Sequence, residues 1–257
     1  MQHILSPAGI AVLERLAHEN ALVAFDYDGT LAPIVADPTK ALMRARTRRA
    51  LQQVSLLYPC AVISGRNHRS LSDLLRGVRL AVVLGNHGLE PSRAPAAFAR
   101  RVQRWRRFLE AKLGAQPGVA IEDKAYSLAV HYRASRRKRE ALARICATVA
   151  KLDGARVILG KLVVDVLPAG APHKGSALVR TRSRLGCEAA LFVGDDTTDE
   201  DVFALAEPGN LLGIRVGSSR VSHARYFLRD QKEIDVLLHL LIALRRPHHL
   251  DLDGRSR

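Results

Sequence analysis

The stretch Ala21-Leu-Val-Ala-Phe-Asp26-Tyr-Asp28-Gly-Thr30 passes from an apolar run straight into acid, and its reading decides the fold. Leu22 to Phe25 form a continuous apolar run, which fits a strand buried on both faces of a parallel sheet. Asp26 and Asp28 follow at i and i+2, a spacing that turns both carboxylates to one face of an extended chain. Gly29 and Thr30 end the strand in a turn. Two such charges repel, and a cation between them offsets that cost. In open α/β sheets ligands gather at the carboxyl ends of strands, where this pair falls. The plain alternative is a solvated acidic turn after a core strand.

Three later segments have a related form. Ala61-Val-Ile-Ser64-Gly65-Arg66 is a short apolar strand ending in a hydroxyl and a glycine. Ser64 either donates to a phosphoryl oxygen, with Gly65 leaving backbone N–H groups open to it, or simply closes a turn. His173-Lys174-Gly175 opens a helical stretch, Ser176 to Arg184. Lys174 there is a solvated first-turn residue or a point-charge partner for phosphate. Ala189-Ala-Leu-Phe-Val-Gly194 is a third apolar strand, and it runs into Asp195-Asp196-Thr-Thr-Asp199-Glu200-Asp201, five acids in seven positions. So many acids are unfavourable together without a metal or a lysine nearby.

In this order the four segments resemble the motifs of the haloacid dehalogenase-like phosphohydrolases. The resemblance implies an α/β fold, a Rossmann-like parallel-sheet core with an inserted α+β cap domain. It implies Asp26 as the nucleophile that attacks phosphorus. Asp28 is then the general acid that protonates the leaving oxygen and later the base that activates water. Mg²⁺, which suits hard oxygen ligands, is expected on the Asp26 carboxylate, the Asp28 backbone carbonyl and Asp195. Ser64 and Lys174 complete the electrostatic cradle, while Asp196 and Asp199 orient metal waters or Lys174.

Other stretches narrow the resemblance to the trehalose-6-phosphate phosphatases. They are Leu31-Ala-Pro-Ile-Val-Ala-Asp-Pro38-Thr-Lys-Ala41, Leu84-Gly85-Asn86-His87-Gly88-Leu89-Glu90, and Gly194 to Phe203. The likeness runs from about Leu22 to Phe203. It implies a sugar-phosphate substrate contacted by Gly65, Arg66, Asn86, His87 and Gly88 from the core. From the cap it implies Glu122, Lys124, Ser127, His131, Arg133, Lys161 and Asp165. His87 and Asn86 either touch the substrate or serve the turn they sit in. The family more often has glutamate where Asp165 stands and arginine where Leu167 stands. The shorter Asp165 therefore reaches less far, and Leu167 withdraws a contact to cap or substrate. Those departures leave open a phosphatase of another sugar phosphate, such as sucrose 6-phosphate.

Organisation along the chain agrees with a split core. Residues 1–90 and 169–257 are expected to form the catalytic core and 91–168 the cap, with Pro91 to Pro95 as linker and Pro168 to Pro172 as hinge. Helices are expected at His3–Asn20, Ala41–Leu57, Leu71–Arg76, Phe98–Leu113 and Arg136–Leu152. Strands are expected at Leu22–Phe25, Cys60–Ile63, Ala81–Leu84, Val119–Ile121, Ser127–Tyr132, Arg156–Leu159 and Leu162–Val166. In a strand, Glu122 and Lys124 share a face, as do His131 and Arg133.

Composition excludes several classes. At 257 residues the chain buries about three-quarters of its unfolded surface. Cys60, Cys146 and Cys187 are scattered, so neither a disulfide framework nor a zinc site is indicated. The start lacks a charged region followed by an apolar core, and Val236 to Leu244 is too short to span a bilayer; a cytoplasmic protein without a membrane partner is expected. The net charge is +15, with arginines dense near Arg100–Arg107 and Arg133–Arg139. Val102, Trp105, Phe108 and Leu109 recur at helical spacing, so the first cluster reads as the solvated face of an amphipathic helix. Aromatics are only 5%, leaving little to stack on bases, and no nucleic acid partner is expected. The rival reading is a basic nucleic-acid-binding protein on a retired phosphatase fold. Retention of Asp26, Asp28, Lys174 and Asp195 argues against it. Oligomeric state is not legible.

Overall fold

Strand β2 (Ala21–Phe25) is buried along its whole length, as a central parallel strand must be. The computed structural model describes residues 1–35, 37, 40–91, 96–205 and 211–245. Ala36, Pro38 and Thr39 of the run after the Asp26–Thr30 turn, and residues 92–95 of the expected linker, lie outside them.

Strands β1 (Gln2–His3), β2, β3 (Cys60–Ile63), β4 (Val82–Leu84), β9 (Ala189–Gly194), β10 (Leu211–Val216) and β11 (Tyr226–Leu228) form one sheet. Its order is β1-β11-β10-β9-β2-β3-β4, and every pairing is parallel. From β2 the chain winds one way through β3 and β4; from β9 it winds the other way. The switch therefore lies between β2 and β9, where a crevice opens at the carboxyl ends.

Side chains alternate across the sheet. Val23, Phe25, Leu191 and Val193 meet α1 (Pro7–His18), α2 (Ala45–Leu57) and α8 (Ile234–Arg245) on one side. Leu22, Ala24, Ala190 and Phe192 meet α6 (Lys174–Arg184) and α7 (Glu200–Phe203) on the other. Helix α3 (His68–Leu74) follows β3 and is capped by Asn67, whose side chain accepts from the Ser70 N–H.

A second, antiparallel sheet has the order β5-β6-β8-β7. It is built from β5 (Ala120–Asp123), β6 (Leu128–His131), β7 (Ala155–Gly160) and β8 (Val163–Pro168). Helices α4 (Ala96–Leu113) and α5 (Lys138–Val149) cover one face, packing Trp105, Leu109 and Ile145 on Leu128, Val130, Val164 and Val166. The period of 2 leaves Glu122, Ala129, His131 and Asp165 on the opposite face.

The first helix differs from the sequence expectation. Gln2 and His3 pair with β11 instead, and the helix starts at Pro7, with the Ser6 hydroxyl accepting from the Gly9 N–H. Proline at the first helical position, behind a serine cap, is the physical reason. Among the described residues no helix is long and apolar enough to cross a membrane.

Candidate active site

Phe25 and Val193 are neighbours across β2 and β9, and the Asp26 N–H donates to the Val193 carbonyl at 2.8 Å. Asp26 and Asp195 therefore leave the sheet side by side from strands far apart in sequence. Gly29, at φ 81°, passes so close to Asp195 that a Cβ there would lie 2.2 Å from its Oδ2. Only glycine permits both the left-handed turn and that approach.

Lys174 enters this corner from the first residue of α6, whose amino end is closed by His173 and Ser176 in a reciprocal cap. Its Nζ lies 2.9 Å from Asp26 Oδ1 and 2.7 Å from Asp199 Oδ1. All three side chains are almost wholly buried. Burial works against the Lys174 charge, but Asp199 and Asp26 hold it above the usual lysine range. Burial pushes the Asp26 carboxyl well up; Lys174 opposes this, and Asp199, Asp195 and Asp28 add to it. Burial, with Asp199 and Asp196 beside it, pushes Asp195 up to about 7.

Asp26, Asp195 and Asp199 each offer a carboxylate oxygen, all within 4.8 Å of one another. One buried ammonium cannot balance three carboxylates, and a set of hard oxygens suits Mg²⁺. Asp199 is already committed, its Oδ1 to Lys174 and its Oδ2 to the Asp196 N–H at 2.9 Å. Asp26 and Asp195 are then the carboxylates left to a cation. Asp28 stands beside them, with both oxygens accepting from Arg66 at 2.6 Å. Arg66 also lies over the Tyr27 ring, 5.4 Å from its centroid.

A cavity of about 720 Å³ opens from these acids toward the second sheet. Asp26, Asp28, Ser64, Gly65, Arg66, His87, Lys174, Asp195 and Asp196 line it from the first sheet's side. Glu122, Lys124, His131, Arg133, Lys161 and Asp165 line it from the other. Glu122 pairs with His131 Nε2 at 2.8 Å, and Lys124 with Asp165 Oδ1 at 3.1 Å. A bond to His131 holds Glu122 low despite partial burial. Burial pushes Asp165 up, but the charge and hydrogen bond of Lys124, with His87 and His131 nearby, together hold it low. So the short Asp165 is placed at the cavity wall, with a cation beside it. Lys161 reaches across to within 3.6 Å of Asp195 Oδ2.

Asn86 and Gly88 do not line the cavity. The Asn86 amide is used at both ends, accepting from the Ser127 hydroxyl at 2.6 Å and donating to the Lys124 carbonyl at 2.7 Å. It ties the core loop to the turn between β5 and β6. A Cβ on Gly88 would meet Ala177 Cβ at 2.3 Å, so Gly88 serves the packing of α6. Leu167 is buried with Ile158 and Ala171. Asp196 caps the turn at Thr197–Asp199. Thr198 of that turn, and Ser70 of α3, also line the cavity. Thr198 belongs to the Gly194–Phe203 stretch, whereas no motif singles out Ser70, since a lone hydroxyl residue near a helix start carries no distinctive pattern.

His87 is buried at φ 57°, and neither ring nitrogen has a hydrogen-bond partner. Burial pushes its pKa down to about 3, so the ring is neutral near pH 7. Unpaired polar atoms in a cavity wall are costly until something bonds to them.

The family model for trehalose-phosphatase matches residues 24–232. A probable trehalose-phosphate phosphatase 4 of Oryza sativa subsp. japonica is 31% identical, over 93% of this chain and 72% of its own length. The trehalose-phosphate phosphatase of Mycobacterium ulcerans is 34% identical, over 74% of this chain but only 52% of its own, so the chain spans about half of that relative. Among solved structures, the C-terminal domain of a Candida albicans trehalose-6-phosphate phosphatase superposes with a TM-score of 0.78. It is 24% identical, and the match covers 95% of this chain and 99% of that one. At that identity the match speaks for the fold, which is the haloacid dehalogenase type.

Proposed function

Because this chain belongs to the trehalose-phosphatase family, we propose that it is a Mg²⁺-dependent phosphatase that releases trehalose and inorganic phosphate from trehalose 6-phosphate. The observation that carries the reading is the buried Asp26–Lys174–Asp199 set beside Asp195, at the floor of a cavity whose far wall carries Glu122, Lys124, Lys161 and Asp165. The second sheet is read as the cap, because its free face supplies that wall. Mg²⁺ is assigned to Asp26, the Asp28 backbone carbonyl and Asp195, where it would offset the charge of the phosphate and of the attacking carboxylate.

The chain's own residues perform the rest. An Asp26 oxygen attacks phosphorus, the bond from phosphorus to the sugar oxygen breaks, and Asp28 gives that oxygen a proton. The product left on the enzyme is an aspartyl-phosphate. Asp28 then takes a proton from water, whose oxygen attacks phosphorus and restores Asp26. Both Asp28 oxygens accept from Arg66 here. The proton steps therefore ask Arg66 to turn from at least one of them, toward the incoming phosphate. Lys174 holds Asp26 in place and carries positive charge to the transferring group, with Asp199 fixing its direction. Ser64, buried at the cavity wall, donates to a phosphoryl oxygen.

Glu122, Lys124, Arg133, Lys161 and Asp165 are assigned to the sugar hydroxyls, where charge-assisted bonds compete well with water. His87 offers a neutral ring nitrogen to the same ligand. The test is a panel of sugar phosphates with released phosphate as readout. Trehalose 6-phosphate should give the highest kcat/KM, at least about tenfold above the next ester. Equal or better turnover of sucrose 6-phosphate would refute the substrate assignment.

A further inference from the structure

The proposed chemistry accounts for Asp195 and Asp199 of the acidic run, but not for Asp201. Its two carboxylate oxygens both accept from Arg156 Nη2 at 2.7 Å, and His173 Nδ1 lies 3.8 Å away. Asp201 is on α7 and Arg156 is the second residue of β7, an edge strand of the cap. Neither residue lines the cavity. The pair joins the second sheet to helix α7 near the point where the chain returns from cap to core. Arg156 is opposite Leu167 in β8, and Leu167 packs with Ile158 and with Ala171 of that return.

Both partners have firm footing. A Cβ on Gly175 would lie 2.1 Å from the Asp201 carbonyl oxygen, so the Asp201 backbone sits directly on the start of α6, one residue from Lys174. At the other end of β7, about 13 Å along an extended strand, a Cβ on Gly160 would lie 3.1 Å from Asp196 Oδ2. Lys161, the next residue, reaches Asp195. Strand β7 thus lies along the acidic loop, held near its start by Arg156 and meeting Asp196 at its end.

A half-exposed ion pair contributes little to stability. Fixing one end of a strand, however, fixes the direction of the other. We infer that the Arg156–Asp201 pair is the pivot of the cap, setting the angle at which β7 meets the acidic loop and so the position of Lys161 over the site. Arg156 and Asp201 are positioning residues for sugar-dependent turnover. This rests on the phosphatase reading above.

The test uses the full chain and two readouts. In Arg156→Gln and Asp201→Asn, kcat/KM for trehalose 6-phosphate should fall about tenfold to a hundredfold, as misplacement of a substrate-positioning element does. For p-nitrophenyl phosphate, too small to need the cap, it should fall less than about threefold. Arg156→Lys should recover part of the loss. Should another sugar phosphate prove the better substrate, the same comparison is made with it, so that a wrong substrate does not mask the pivot. Independently of turnover, spin labels on Arg144→Cys and Val236→Cys, with Cys146→Ser, report the cap-to-core distance. Arg156→Gln should broaden that distribution. Equal losses on both esters, or an unchanged distance distribution, overturn the inference.

Discussion

Asp26 is a partner of Lys174 and, in the proposed chemistry, the attacking group, and the two roles separate cleanly by substitution. Asp26→Asn keeps the size and most of the hydrogen bonding but removes the nucleophile. Turnover should fall by at least about 10⁴-fold, with the thermal melt unchanged or slightly raised, because one of several buried like charges is gone. Residual turnover near the parent level would refute the assignment. His87 gives a second residue-scale expectation. Its pKa is about 3 in the fold, against 6.5 in an unfolded chain. Below pH 6.5 the unfolded chain takes up a proton that the folded chain refuses, so stability present above 6.5 is lost as the pH falls. Between pH 7.5 and 5 the loss from this one ring is about 2 kcal/mol. Urea unfolding of His87→Asn at the two pH values should show that part missing; an identical acid loss in the variant would assign it to other groups.

Strand β7 and the turn after it act as one element, because Lys161 extends directly from the strand's last residue. Lys161→Ala should lower kcat/KM for trehalose 6-phosphate by about tenfold or more while small aryl phosphates lose about threefold or less; equal losses would detach the cap from substrate choice. Elements differ in how plainly the sequence announces them. Strands β2, β3 and β9 are legible because each is an unbroken apolar run ending in a polar motif. Strand β10 is not, since Gly213 and Arg215 interrupt it, and β1 and β11 are too short to show a period. The acids and Lys174 are likewise legible, since charge set directly at the end of a buried strand is costly unless an opposite charge meets it there. The roles of Asn86 and Arg156 are not. Each is decided by a hydrogen bond to a residue about forty positions away, and spacing along a chain carries no trace of such a partner.

At the scale of the molecule, the proposed metal site ties stability to pH. Asp195 stays protonated in the fold up to about pH 7, whereas an unfolded aspartate has lost its proton near pH 4. The folded chain without metal therefore loses stability as the pH rises through that window. A cation on Asp195 competes with the proton, so added Mg²⁺ should raise the melting temperature more at pH 8 than at pH 5, and chelation should reverse it. A shift that is the same at both pH values would separate Asp195 from the metal. The seven-stranded sheet imposes a further condition. Asp26 follows β2 directly, and the neighbour that completes its surroundings, β9, comes from the far side of the inserted sheet. During synthesis, the early strands leave the ribosome with one open flank, and Asp26 waits without its lysine. That flank offers unpaired backbone to any other extended segment until residue 194 has emerged. A message cut short within the insert would thus yield an inert and adhesive fragment, never a weaker phosphatase.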